Sequence, residues 1–414
     1  MTATVETVKN QIPEVPPRRF CVAPFISTMQ TTIGKTSPCA YGITEWQFGE
    51  LTPKQRWTST ELNQFRLDFL QGTPPEPCSK CFDEETAGKQ SLRQRMLEWY
   101  PQAYEELILS GQWEHGPQHI SSKVSNVCNL ACRSCGGYDS NTYHREGVHY
   151  TEKYKTINFV GEPGNRFVAR FSAKHTDYSG FRDIDANITK LEFYGGEPLL
   201  NLSHLDLLEH LVNTGRSKNI TLFYSTNCTQ PINNRHRKVW DKFKRVEFSL
   251  SIDHIGDKFH YLRWPGNWDE VQTNVDSLLA LRNTLDAEVT HVVSPCCTML
   301  NVYYIDEILD WAQSYVGASY INMVANPSYL SVHIAPDHVK SAILDQIKAP
   351  EVRGFLQLKP HNKIDWRQFI IWTKRQDLYR QQDFTKTFPE FYQLFKSDWD
   401  SITDLSEENF LCES

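Results

Sequence analysis

The sequence has no long apolar run: no stretch approaches the roughly 18 residues needed to span a bilayer. It also lacks an excess of positive charge. Lysine and arginine number 43 against 50 aspartates and glutamates, a formal net charge of −7, so the overall electrostatic footprint of a nucleic-acid binder is missing. The first 19 residues are polar and carry no apolar h-region, and no signal peptide is expected. There is no internal repeat and no low-complexity tract. With 20 glycines and 21 prolines in 414 residues, collagen-like and wholly disordered chains are excluded. These absences point to a globular, cytoplasmic chain of roughly two to three domains, with neither a membrane nor a nucleic acid as partner.

Cysteine is not scarce. Eleven are present, and in a reducing compartment they point to metal or redox roles rather than to structural disulfides. They fall in two groups. Cys21, Cys39, Cys78 and Cys81 lie early, the last two as a C-x2-C pair, and Cys128, Cys132 and Cys135 form a tight trio. Cys228, Cys296, Cys297 and Cys412 stand apart and read as small buried hydrophobes.

Beyond the trio, short β-branched runs alternate with segments of helical periodicity. Strands are expected at 120–127, 189–194, 219–225, 245–252, 286–293 and 319–324. Leu205, Leu208 and Leu211, then Val271, Val275 and Leu278, then Ile305, Ile308 and Leu309 supply the intervening helical faces. Alternation of this kind predicts parallel βα units, built as a partial barrel or as a doubly wound sheet. About sixty residues separate the first two strands. Turn signals at Gly161, Gly164 and Tyr178-Ser179-Gly180 predict an insertion there. Residues 1–111 do not follow the βα rhythm; helices are expected at 60–70 and 91–110. Residues 326–414 read as a mostly helical, aromatic-rich extension.

Cys128-x3-Cys132-x2-Cys135 directly follows the first expected strand. Three thiolates can hold three irons of a cubane and leave the fourth iron open, because a closed cluster takes four cysteines. A zinc site completed by His144 or His149, or plain burial, would use the same residues.

The spacing resembles the signature of the radical SAM superfamily, and later pieces fall where that family has them. Tyr194-Gly195-Gly196-Glu197-Pro198 is similar to its GGEP motif, and Ser225-Thr226-Asn227 stands where a T-N-G tripeptide is common. Ser249, Ser251 and Asp253 end the fourth expected strand, ahead of Tyr261-Leu262-Arg263. All these strand ends lie on the face where a βα barrel builds its site. The resemblance implies a partial (β/α)6 TIM-like barrel over residues 112–325. It implies a 4Fe-4S cluster on Cys128, Cys132 and Cys135, with S-adenosylmethionine (SAM) held by Gly195, Gly196, Glu197, Ser225, Asn227, Ser251 and Arg263. The implied activity is reductive cleavage of SAM to a 5′-deoxyadenosyl radical that abstracts hydrogen from a peptide, protein or small molecule. An electron donor such as flavodoxin or ferredoxin is implied too. Two positions depart from the pattern: Ser134, preceded by Arg133, stands where an aromatic residue is common, and Cys228 replaces the tripeptide's glycine.

Cys21-x12-Gly34-x4-Cys39 and Cys78-x2-Cys81 total four thiols, the number a closed 4Fe-4S or zinc site needs. With Glu85, Gly88, Ser91 and Arg93, the block resembles twitch and SPASM domains placed ahead of the core. This implies one auxiliary 4Fe-4S cluster within residues 1–111, with zinc as the alternative. The basic run from Arg235 to Arg245 around Trp240 reads as a solvated helix face. The aromatics of 366–369 and 388–391 read as helix packing. The function read from the sequence is a radical SAM enzyme; the alternative is a cluster- or metal-binding scaffold that does not cleave SAM.

Overall fold

The computed structural model describes residues 3–30, 36–40, 51–137, 139–154, 175–178, 181 and 187–406. Gly34, Gly161, Gly164, Ser179, Gly180 and Cys412 lie outside the described residues.

The expected parallel strands form and pair in chain order. β3 (His119–Lys123), β4 (Lys190–Tyr194), β5 (Thr221–Thr226), β6 (Arg245–Leu250) and β7 (Glu288–Val293) are successive parallel neighbours. Leu191, Phe193, Leu222, Tyr224, Val246 and Phe248 bury one face of this sheet. The helix Leu205–Asn213 covers that face with Leu205, Leu208 and Leu211, and Trp268–Leu279 adds Val271, Val275 and Leu278. Between β4 and β5, and between β6 and β7, a helix thus makes the crossover a parallel pair requires.

The sixth expected strand is shorter than its β-branched sequence suggested. Its paired residues are Ser319, bridged to Val293, and β9 (Asn322–Met323), paired in parallel with β8 (Cys296–Cys297). Bonds from Tyr320 N to Val293 O (2.8 Å) and from Asn322 N to Pro295 O (2.8 Å) keep one register along the seam, so 319–324 runs beside an extension of β7. The class is therefore the expected α/β, mainly parallel.

The other edge of the sheet was not foreseen. β1 (Ser27–Gln30) pairs in parallel with β3, from Ser27 opposite His119 to Gln30 opposite Ser122, and β2 (Thr36–Ser37) pairs antiparallel with β1. The N-terminal segment thus contributes two strands to a seven-stranded sheet. It also keeps its own apolar cluster, around Phe20, Phe25, Phe65, Met96 and Trp113. Helix Thr60–Leu70 forms over the expected residues. The helix expected at 91–110 is instead split into Leu92–Trp99 and a π-turn, Tyr104–Leu109. Pro101 accounts for the break, because a residue before proline is pushed out of the helical region, and Tyr100 sits at φ −130°, ψ 59°.

The C-terminal helix Lys363–Arg380 buries Trp366, Phe369 and Trp372. Its aromatic neighbours Phe384, Phe388, Phe391 and Phe395 are fully buried or nearly so, which is the packing role expected of them. The basic run is a surface neutralised by acids: Arg235 pairs with Asp206 and Glu209, and Arg245 with Glu288. Among the described residues, no helix is long and apolar enough to cross a membrane.

Candidate functional site at the strand C-termini

The loop after β3 carries the three cysteines, and the end of β4 holds it in place. Val124 N donates to Tyr194 O (2.8 Å) and Glu197 N to Val127 O (2.8 Å). Between them, Gly195 and Gly196 adopt φ of +76° and +59°. A Cβ on Gly196 would stand 2.4 Å from Val127 O, and one on Gly195 2.6 Å from Lys123 Cβ. Both positions therefore require glycine on conformational and steric grounds. Further along, Cys128 N donates to Asn141 Oδ1 (3.0 Å) and Thr142 Oγ1 to Cys128 O (2.6 Å). On its other side the loop lies against 262–264: Ala131 N donates to Trp264 O (2.7 Å) and Arg133 N to Leu262 O (2.8 Å).

The three thiols interact electrostatically with one another, and burial raises all of them, Cys128 to about 12. Arg263 and Asn227 attend the sulfurs: Arg263 Nη1 lies 3.8 Å from Cys132 Sγ, and Asn227 Nδ2 lies 3.7 Å from Cys128 Sγ. Thiols held like this bind metal by releasing protons, since the thiolate is the ligand. Among the described residues, no group of three or more His, Cys, Asp or Glu side chains is gathered tightly enough for a single metal ion. Zinc, with bonds of about 2.3 Å, draws four ligands into one small tetrahedron. A cubane distributes its thiolates over separate irons and asks for a wider set. His149 is engaged elsewhere, against Tyr379 with ring centroids 4.9 Å apart. Three soft sulfur donors on one short loop are the ligand type an iron–sulfur cluster takes.

The remaining expected residues converge on the same strand ends. Fully buried Glu197 accepts from Thr226 Oγ1 (2.8 Å), Asn227 N (2.6 Å) and Leu199 N (3.0 Å). Burial outweighs these donors and raises its carboxyl to about 7. Its carboxylate thus ties the end of β4 to the end of β5. The Ser225 and Ser251 hydroxyls lie 3.2 Å apart. Cys228 is buried with φ of +61°, the left-handed conformation the glycine it replaces would adopt without strain.

Several functional neighbours were not read from the sequence. Asp253, noted only as a strand-end residue, is the partner of Arg263, with Nη2 to Oδ1 and Nε to Oδ2 both at 2.9 Å. Arg263 is therefore a buried ion-pair residue aimed at a cysteine, not a surface one. Cys296, read as a small hydrophobe, donates its backbone N–H to Asp253 Oδ1 (2.8 Å). Burial pushes its thiol up to about 12. The proximity of Asp253 to Arg263, ten residues on, was the one local signal for this arrangement.

The early cysteines also converge. Cys21, Cys39, Cys78 and Cys81, with Ala23, Phe69, Phe82, Leu92, Arg93 and Met96, line one small pocket of about 20 Å³. Burial and mutual repulsion raise the thiols of Cys21, Cys78 and Cys81, the last to about 12. Arg93 reaches Glu85 (2.6 Å) and Phe20 O (2.8 Å), and Ser91 Oγ donates to Glu85 (2.6 Å). The four residues read alongside these cysteines thus include a hydrogen-bonded triad, Glu85–Ser91–Arg93, of which Arg93 lines the pocket.

No family model matches the chain, and no curated protein does. Among solved structures it is similar to anSMEcpe with bound AdoMet and the Cp18Cys peptide, at 16% identity and a TM-score of 0.32, over 55% of this chain and 57% of that one. It is also similar to SuiB of Streptococcus suis bound to S-adenosylmethionine, at 12% and 0.32, over 80% and 66%. A third is TsrM of Kitasatospora setae, a radical S-adenosylmethionine methyltransferase with cobalamin and a [4Fe-4S] cluster bound, at 10% and 0.34, over 70% and 63%. The first three structures matched are spanned over 37% to 57% of their own length.

Proposed function

We propose that the chain is a radical SAM enzyme that acts on a peptide, protein or small molecule. The observation carrying this reading is the Cys128–Cys132–Cys135 loop at the C-terminal strand ends, with Arg263 and Asn227 directed at two of its sulfurs. Cys128, Cys132 and Cys135 would hold the cluster, and the cluster with SAM would supply the one-electron chemistry that breaks an unreactive carbon–hydrogen bond. The protein's share is orientation. Gly195 and Gly196 leave backbone rather than side chain facing the loop, and Ser225, Ser251 and Arg263 offer donors at neighbouring strand ends. Arg263, charge-compensated by Asp253, can receive a carboxylate without leaving a buried cation unpaired.

The N-terminal quartet, Cys21, Cys39, Cys78 and Cys81, would hold a second, closed 4Fe-4S cluster in an auxiliary domain of residues 1–111, with zinc the alternative. A low-potential donor such as flavodoxin or ferredoxin would supply electrons in the cytoplasm. One observation favours a scaffold without SAM cleavage: both Glu197 carboxylate oxygens already accept from protein donors, which leaves less of that carboxylate for a cofactor's amino group.

Anaerobic reconstitution with iron counting and a dithionite-driven assay for 5′-deoxyadenosine tests the reading. Roughly eight irons per chain with turnover supports two cubanes, and roughly four with turnover leaves the quartet to zinc. Cys132→Ala should abolish 5′-deoxyadenosine formation; clusters that neither bind nor cleave SAM would favour the scaffold.

A further inference from the structure

The three sulfurs of the trio meet different surroundings. Cys128 Sγ receives two N–H groups, Leu130 N at 3.4 Å and Asn227 Nδ2 at 3.7 Å, and Cys132 Sγ receives Arg263 Nη1 at 3.8 Å. Cys135 Sγ faces an acceptor instead, Gly136 O at 3.6 Å. Of these donors, Leu130 belongs to the cysteine loop itself, and Arg263 is held by Asp253. Asn227 comes from the end of β5, 99 residues along the chain from Cys128, and is only 6% exposed.

The Asn227 carboxamide is fixed in one orientation. Its Oδ1 accepts from Thr229 N (3.0 Å) and from Thr229 Oγ1 (2.7 Å), closing a turn through Cys228. A backbone N–H can only donate, so the amide oxygen lies on that side and the amino group on the other. Nδ2 then serves Asn129 Oδ1 (3.2 Å) and Cys128 Sγ, one hydrogen each. All four hydrogen-bonding positions of this side chain are thereby taken, two accepting and two donating. An aspartate at 227 would close the same turn. Only asparagine closes it and also has a donor for the sulfur.

We propose that Asn227 is a positioning residue that raises the reduction potential of the cluster on the trio, acting through Cys128 rather than by contact with SAM. The inference rests on the radical SAM reading and deepens it. A donor aimed at a ligating sulfur draws negative charge from the thiolate, and the added electron of the reduced state then meets less repulsion. Burial strengthens the effect, because a hydrogen bond out of reach of water is electrostatically stronger than one in it. The one electron would come from the same low-potential donor, dithionite in the tube. Asn227 sets how far the equilibrium lies toward the reduced form, and its lock on Thr229 and Asn129 keeps the donor aimed at the sulfur in both states.

The test uses the full chain, anaerobically reconstituted. A redox titration followed by electron paramagnetic resonance is run without SAM, and SAM added afterwards marks the trio's signal as the one it alters. Asn227→Leu, near-isosteric but without a donor, should titrate at a more negative potential than the parent, so that at a fixed poise its reduced fraction falls several-fold. Asn227→Asp, which keeps the turn but sets a negative charge beside the sulfur, should shift further in the same direction. Ser225→Ala, whose hydroxyl meets Ser251 at the same strand end, should titrate as the parent does. SAM affinity, read by equilibrium dialysis, should be unchanged in Asn227→Leu. An unmoved potential in both Asn227 variants, an equal shift in Ser225→Ala, SAM affinity lost in Asn227→Leu, or iron lost from both Asn227 variants overturns the proposal while the enzyme reading stands. Absence of a SAM-responsive cluster from the parent chain overturns both.

Discussion

Arg133 and Asp377 form a buried ion pair, Nη2 to Oδ1 at 2.5 Å, across 244 residues of sequence. Arg133 sits between Cys132 and Cys135, and Asp377 lies on the C-terminal helix, so that helix grips the cysteine loop from behind. The Arg133 guanidinium also stacks on Tyr261, 3.7 Å from the ring centroid.

Removing the carboxylate should therefore loosen the loop as well as the helix. Asp377→Ala leaves Arg133 buried without its charge partner, a loss of about 3–5 kcal/mol. Chemical denaturation should register that loss, and iron bound per chain after reconstitution should fall. Full iron retention in a destabilised variant would show the grip to be purely structural.

Gly196→Ala places a Cβ where Val127 O already stands, on a backbone at φ +59°. The left-handed conformation alone costs about 1–2 kcal/mol for an alanine, and the clash adds to it. The turn before Cys128 must shift. The expected result is a lower Tm together with loss of iron from the trio, read by iron analysis on a chain whose N-terminal quartet is intact.

Cys228→Gly should act differently. Glycine relieves about 1–2 kcal/mol of left-handed strain and forfeits a similar amount of buried thiol packing. Stability should change by no more than about 1 kcal/mol in either direction, within the sum of those two terms. Iron content should be that of the parent, and a drop in iron would make Cys228 a ligand.

Acid should weaken the barrel side through two histidines behind β5. His204 and His236 are fully buried, and desolvation lowers both, His236 to about 4. Each stays neutral in the fold but protonates near pH 6.5 once unfolded. Their stabilising contribution is therefore complete above about pH 6.5 and is lost as pH falls toward 4, at up to about 1.4 kcal/mol per pH unit for each group. Urea midpoints measured between pH 7 and 5 should decline, and less steeply in His236→Phe. Parallel declines would remove His236 as a cause.

What the sequence disclosed depended on distance along the chain. β4 was legible because Leu191, Phe193 and their β-branched neighbours form a strand pattern locally, and the cysteine trio because its ligands fall within eight residues. β1 was missed because 27–30 is a strand only by virtue of β3, some ninety residues later, and no crossover pattern connects them locally. The Arg263–Asp253 pair and the bond from Cys296 to Asp253 were hidden for the same reason. Asp253 reaches the Cys296 backbone over 43 residues, a separation that no local pattern reveals. Pro101 was visible, but a continuous apolar pattern around it outweighed its effect on Tyr100.

The pairing of β1 with β3 makes the N-terminal segment a guard as well as a neighbour. Its four residues occupy hydrogen-bonding groups on β3 that would otherwise face water along the edge of a parallel sheet. A chain shortened to begin after them would offer that edge to any other extended segment, including another copy of itself. Shortened chains should therefore fail by clumping before they fail by losing iron, and a preparation meant to isolate the barrel would have to supply a substitute strand.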